Sequence, residues 1–199
     1  MKTEFSLLGM PVHDSPIFEE QQGKEWISYG ADNHYANFLE FLYLGSSIHS
    51  AIVNGVSSMI YGEGLDAHDK DNSEGTKEQW LKLQNLLLES DPDILRKISM
   101  DIKLYGQCYI NTIWNRSRTK ITQLKHLPVH TIRAGVADEE GHVDVYYYKS
   151  DWSNRSDRSK PLAIRSFCED DRTEASRVLQ IKRYAPSFHY YGLPDIEGS

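Results

Sequence analysis

The side chains that could do chemistry here are eight histidines, two cysteines and a few paired carboxylates. Metal binding and acid–base catalysis need such groups to converge at set spacings. The histidines are His13, His34, His49, His68, His126, His130, His142 and His189, and none falls in a His-Glu-x-x-His helix. His126 and His130 are four residues apart, but Pro128 lies between them in a strand-like context, so they do not share a helix face. The stretch Asp66-Ala67-His68-Asp69-Lys70-Asp71-Asn72 has the composition of a cation loop. A calcium loop starting at Asp69 needs glycine at its sixth position and glutamate at its twelfth; Glu74 and Trp80 stand there instead. The expectation is a solvated loop. The enzymatic alternative is a small metal-dependent hydrolase using His68, Asp69 and Asp71 within residues 66–71. Gly62-Glu63-Gly64 follows no strand and precedes no Gly-Lys-Ser/Thr, so it is not a phosphate loop. No Gly-x-Ser-x-Gly elbow occurs. Glu139-Glu140 and Asp170-Asp171 sit in turn-like sequence. Together these observations predict no catalytic residue, no metal ion and no cofactor.

Cys108 and Cys168 are far apart and lack metal-type spacing, which predicts two free thiols. The Asn-x-Ser sites at Asn115 and Asn154 would matter only in a secreted protein. Tyrosine is clustered, as Tyr146-Tyr147-Tyr148 and Tyr190-Tyr191, with Trp114 and Trp152 in the same half. Cross-strand packing and an intersubunit surface both suit such residues. A base-stacking platform would need a more basic face than Lys149, Arg155 and Arg158 provide. The net charge is −7, with the acid concentrated before Asp101. That balance argues against a tight nucleic-acid binder and is compatible with a surface past which DNA slides. No apolar run approaches the roughly 20 residues of a membrane helix. Residues 1–20 lack the basic-then-apolar order of a signal peptide, so the expected setting is the cytoplasm or an assembly built there.

About four helices and a run of strands must position these residues. Residues 1–33 are polar, carry Pro11 and Pro16 and show little periodicity. They predict an extended arm ordered by neighbouring subunits, followed by an α+β domain over residues 34–199. Phe38, Leu39, Leu42 and Tyr43 recur at helical spacing. Gly45-Ser46-Ser47 breaks the pattern, and Ser46 or Ser47 can cap a second helix. There Ile48, Ile52, Val56, Met59 and Ile60 form an apolar stripe, ended by Gly62 and Gly64. Thr76 and Gln79 match a capping box for a third helix that buries Trp80, Leu83, Leu86 and Leu87. Asp91-Pro92 opens a fourth, with Ile94, Leu95, Ile98, Ile102 and Tyr105 as its stripe and Gly106 as its stop. The period then changes to two. Cys108, Ile110, Thr112 and Trp114 predict a half-buried strand. Further strands are expected at residues 121–127, 129–134, 143–149, 162–167 and 178–184. The fold class is α+β: helices first, then a mostly antiparallel β meander.

Several of these segments, in this order, resemble the N-terminal wing region of tailed-bacteriophage portal proteins. Trp26-Ile27-Ser28-Tyr29-Gly30-Ala31-Asp32-Asn33 is similar to the family's opening, through Tyr29, Gly30, Asp32 and Asn33. The helix begun by Ser47 and His49, with its exit at Gly62 and Gly64, is similar to the next segment. Leu104-Tyr105-Gly106-Gln107 resembles the family's passage from helix to strand. Pro128 and Arg133 match a strand pair, and Tyr147, Asp151 and Trp152 the hairpin after it. Tyr191-Gly192-Leu193-Pro194-Asp195 is the most specific piece. The resemblance runs from about Trp26 to Asp195. It implies a structural subunit without turnover, in a dodecameric ring at one capsid vertex of the virion, assembled in the bacterial cytoplasm. The ring would be the conduit for genome packaging and ejection. The implied partners are other copies of the chain, the large terminase subunit, the major capsid and scaffold proteins and a head-completion adaptor. Double-stranded DNA would pass through without sequence-specific binding, and no membrane is involved. Stem helices, clip, tunnel loop and crown would follow the Tyr191-Gly192-Leu193-Pro194-Asp195 turn, so the chain is expected to cover mainly the wing.

Overall fold

The computed structural model describes residues 16–21, 23–65, 74–154, 159–186 and 188–194. The described residues hold four helices, then six strands: α1 Tyr35–Gly45, α2 Ser47–Tyr61, α3 Glu74–Ser90, α4 Ile94–Tyr105, β1 Gln107–Trp114, β2 Ile121–Leu127, β3 Ile132–Ala134, β4 Val145–Tyr148, β5 Leu162–Arg165 and β6 Ser176–Lys182. The α+β order read from periodicity is the observed one. Local signals explain several boundaries. Ser46 caps α2, its Oγ accepting from His49 N at 3.2 Å. Gly62 and Gly106 end α2 and α4 at φ +55° and +71°, a region that costs glycine little.

The helix faces differ from expectation. On α2 the buried residues are Val53 and Ser57, whereas Ile48, Ile52, Met59 and Ile60 are exposed by 74%, 55%, 82% and 53%. The helix rests on α4 and α1, and the small side chains of the Val53 line permit that close approach. The larger apolar stripe therefore points away. On α1, Tyr35, Ala36 and Leu39 are buried, while Phe41 and Leu44 face outward. α3 packs on β2; Trp80, Leu86 and Leu87 are half-buried and Leu83 is exposed. It starts at Glu74, so Thr76 lies inside the helix rather than at its cap. α4 starts two residues after Pro92. Asp91-Pro92-Asp93 forms the preceding turn, with Asp91 O accepting from Ile94 N at 2.9 Å. Its buried side includes Ile94, Leu104 and Tyr105 together with Ser99 and Asp101; Leu95, Ile98 and Ile102 are half-buried.

The strands sort into two three-stranded antiparallel sheets, in the orders β2-β1-β6 and β3-β4-β5. The meander holds for β3-β4-β5, but β6 returns to the far edge of β1, pairing Ile110 with Leu179. β1 is thus central and buried on both faces along residues 107–110, not half-buried as its alternation suggested. Residues 129–131 form a 3-10 turn after Pro128, leaving only Ile132–Ala134 as strand. A parallel bridge between Ser166 and Val178 ties the two sheets together.

One core spans helices and sheets, including Ile27, Tyr29, Leu39, Val53, Tyr109, Val129, Ile132, Val178 and Tyr191. Ile27 N donates to Ala134 O at 2.8 Å, and Trp26 bridges to Gly135. Ile27 and Tyr29 of the expected arm therefore pack into this chain's own core. Residues 1–15 of the expected arm lie outside the described residues.

Candidate functional site

β3 places Arg133 in the core with its side chain fully buried. The guanidinium donates to Asn33 Oδ1 at 2.5 Å, Asn33 O at 3.1 Å, Ile132 O at 2.7 Å and His130 O at 3.1 Å. It also lies 5.0 Å from the centre of the Trp152 ring and 5.7 Å from that of Tyr29. Burial pulls its pKa down, yet arginine keeps its proton in proteins. Carbonyl dipoles and aromatic faces therefore stabilise the buried charge. Asn33 also accepts from Tyr29 N at 3.0 Å through Oδ1. Its φ of +68° is a conformation that asparagine tolerates better than most residues. Asn33 N donates to Gly30 O, and Tyr35 N to Tyr29 O. Asp32 Oδ1 accepts from His34 N at 3.0 Å, leading the chain into α1. The spacing of Tyr29, Gly30, Asp32 and Asn33 is thus that of one tight turn latched by Arg133.

The opposite wall comes from the turn before β3, from β4 and from the residues that follow it. Trp152 Nε1 and Lys149 N both donate to Thr131 O, at 2.8 and 3.0 Å. Pro128 O accepts from the Thr131 backbone and hydroxyl, at 2.9 and 2.7 Å. Trp26 sits between Tyr147 and Trp152, with ring centres 5.8 and 5.4 Å away. Asp151 is exposed; its carboxylate accepts from Ser153, whose hydroxyl holds its pKa down. Its role is to shape the turn beside Trp152. An open groove of about 740 Å³ lies over this cluster, lined in part by Trp26, Tyr147, Trp152, Lys24, Lys149 and Lys160.

The last motif closes the structure. Tyr191 OH donates to Ile27 O at 2.6 Å and accepts from Ala134 N at 3.1 Å, and its ring centre is 4.5 Å from that of Tyr29. Gly192 N donates to Gln107 Oε1 at 2.9 Å. Gly106 and Gly192 meet backbone to backbone. A Cβ on Gly106 would lie 2.1 Å from Leu193 O, and one on Gly192 would lie 2.1 Å from Gly106 O. Leu193 is half-buried and Pro194 buried; Asp195 lies outside the described residues.

Tyr29, Gly30, Asn33, Arg133, Trp152, Tyr191 and the Gly106–Gly192 contact, scattered in sequence, thus belong to one continuous junction. Ser47, His49, Gly62 and Gly64 do not join it: they mark the ends of α2, with Ser47 O accepting from Ser50 Oγ at 3.1 Å. Tyr105 extends the junction outward, donating to Glu40 Oε1 at 2.7 Å.

Two histidine–carboxylate pairs were not legible in the sequence. His130 Nδ1 lies 3.0 Å from Glu40 Oε1, and His126 Nε2 lies 2.6 Å from Asp101 Oδ2. The imidazole of His130 holds Glu40 below its ordinary value and is itself raised by Glu40. Burial raises Asp101. The partners are distant in the chain, so no local spacing announced them. Among the described residues no group of three or more His, Cys, Asp or Glu is placed to hold a metal ion. Residues 66–71, the hydrolase alternative, lie outside the described residues. Asp171 pairs with buried Arg177 at 2.5 Å, and Thr173, followed by Arg177, holds its pKa at about 2; it serves as a structural counter-charge. Both cysteines are free, with burial pushing the Cys108 thiol up to about 12.

No family model and no curated protein sequence matches this chain. Among solved structures it is similar to a chain described as "Neck of empty GTA particle computed with C6 symmetry", with a TM-score of 0.64 and 12% identity. The likeness covers 92% of this chain and 43% of that one, so this chain spans less than half of the solved chain's length. At that identity the shared property is the fold.

Proposed function

We propose that this chain is a structural part of a phage-like particle, and specifically the wing portion of a portal subunit at the head–tail junction. The observation that carries the reading is the fold likeness across nearly the whole chain to a chain of a particle neck. The junction around Arg133 supports it. Residues that resemble the portal family's motifs meet there as packing and hydrogen-bonding groups. On this reading copies of the chain form a closed ring, a dodecamer in the full-length subunit. The major capsid and scaffold proteins lie around the ring, and the large terminase subunit and then a head-completion adaptor dock on it. Double-stranded DNA passes through during packaging and ejection. The chain's acidic balance suits a wall that DNA must not grip.

Quantitative mass spectrometry of particles purified from cells expressing the gene tests this. The expected result is the chain's peptides in intact particles at about a dozen copies, far below the major capsid protein. Absence from particles, or abundance equal to that of the capsid protein, overturns the reading.

A further inference from the structure

Resting on the ring reading above, we propose that the uncharged outer face of α1 and α2 is the surface on which a second copy of this chain docks. Phe41 and Leu44 on α1, and Ile48, Ile52, Met59 and Ile60 on α2, are 71%, 81%, 74%, 55%, 82% and 53% exposed. At 3.6 residues per turn, Ile48, Ile52 and Met59 fall within about 40° of one another around α2. The six side chains leave on the order of 700 Å² uncovered, above the ~300–600 Å² of the largest patch on a typical monomer and close to the ~800 Å² each partner gives a standard interface.

Charge chooses the occupant. Residues 41–62 contain no Asp, Glu, Lys or Arg, in a chain that is 26% charged. A facing apolar surface can cover them without desolvating an ion. Residues 25–69 contain no Lys or Arg; the Arg96 guanidinium of α4 lies 4.2 Å from the centre of the Tyr61 ring at the end of α2. The six apolar side chains themselves thus offer an anionic lipid surface or a phosphate backbone no cation of their own helices. A protein surface remains, and this chain supplies one. Leu81 and Leu88 on α3 are 56% and 65% exposed and two turns apart on one face. α3 rests on β2, whereas α2 rests on α4 and α1. Two unlike apolar faces carried by different elements are what a head-to-tail contact needs if it is to repeat around a ring.

Mass photometry of the 199-residue chain, wild type against Ile48→Asp/Ile52→Asp, tests the face. Circular dichroism reports that the fold is kept, as both sites are exposed. The expected result is wild-type assembly, with the variant needing at least tenfold more protein to assemble. A second measurement places a polarity-sensitive fluorophore at Ile52→Cys in a Cys168→Ser background, and its emission should shift to the blue as the chain assembles. Assembly by the Asp variant at wild-type concentrations, or no shift on assembly, overturns the proposed face and leaves the ring reading standing. A wild-type chain that stays monomeric at every concentration also overturns the proposed face, whereas absence of the chain from purified particles overturns the ring reading.

Discussion

At the residue scale, two glycines with similar backbone angles make a controlled comparison. Gly23 has φ +84° and open space around its Cβ position, while Gly106 has φ +71° and a carbonyl oxygen 2.1 Å from its own. Gly23→Ala should cost about 1 kcal/mol, the strain of a left-handed alanine. Gly106→Ala should cost ~3 kcal/mol or more, because the 193–194 segment must also move. Urea midpoints of the two variants check the ordering. Arg133 gives a second test. Arg133→Met should cost about 3 kcal/mol, since it strands the carbonyls that the guanidinium satisfied, and Arg133→Lys should rescue less than half, because an ammonium cannot fork to both oxygens of Asn33. The pH dependence follows from Glu40, His130 and Asp101. Folding lowers Glu40 from 4.5, so its contribution is present above 4.5 and lost as pH falls through the lower folded value. Folding raises His130 from 6.5, so its contribution is full below 6.5 and lost as pH rises through the folded value. Asp101, raised from 3.8 by burial, also loses stability with rising pH. Tm should therefore be higher near pH 5.5 than at pH 8, and His130→Gln should flatten that difference. Both groups of the Glu40–His130 pair are partly exposed, so solvent screening keeps the effect modest.

At the element scale, α2 carries two apolar lines with opposite fates. Val53→Ala should cost ~2 kcal/mol by opening a cavity against α4, whereas Ile52→Ala should stay within ~0.5 kcal/mol in the monomer. Chemical denaturation of dilute protein separates them. The contrast also explains what the sequence could and could not say. Helix limits were legible because Ser46, Gly62 and Gly106 act within a turn or so of themselves. Which stripe of α2 is buried was not, because side-chain size favours Ile48, Ile52, Met59 and Ile60 as the inner line, whereas the buried residues are the smaller Val53 and Ser57. Alternation along residues 107–114 correctly indicated a strand, but its burial on both faces depends on β6, some seventy residues on, taking the far edge. The junction was legible only in pieces: the motifs supplied residue types, and folding alone joins Asn33 to Arg133 and Gly106 to Gly192.

At the scale of the whole molecule, helices and sheets share one core. Its most buried large polar group, Arg133, is spent on joining the N-terminal turn, β3 and Trp152. Phe41, Leu44, Ile48, Ile52, Met59 and Ile60 face outward on α1 and α2. No described helix is long and apolar enough to cross a membrane. A rigid body with an uncovered apolar face is suited to assembly with its own kind, and closed rings avoid the open-ended growth that such faces otherwise cause. Negative-stain electron microscopy of the purified chain tests this most directly. The account predicts class averages of closed rings with rotational symmetry and a central opening. A field of isolated 22.9 kDa particles, or open-ended filaments, would contradict it.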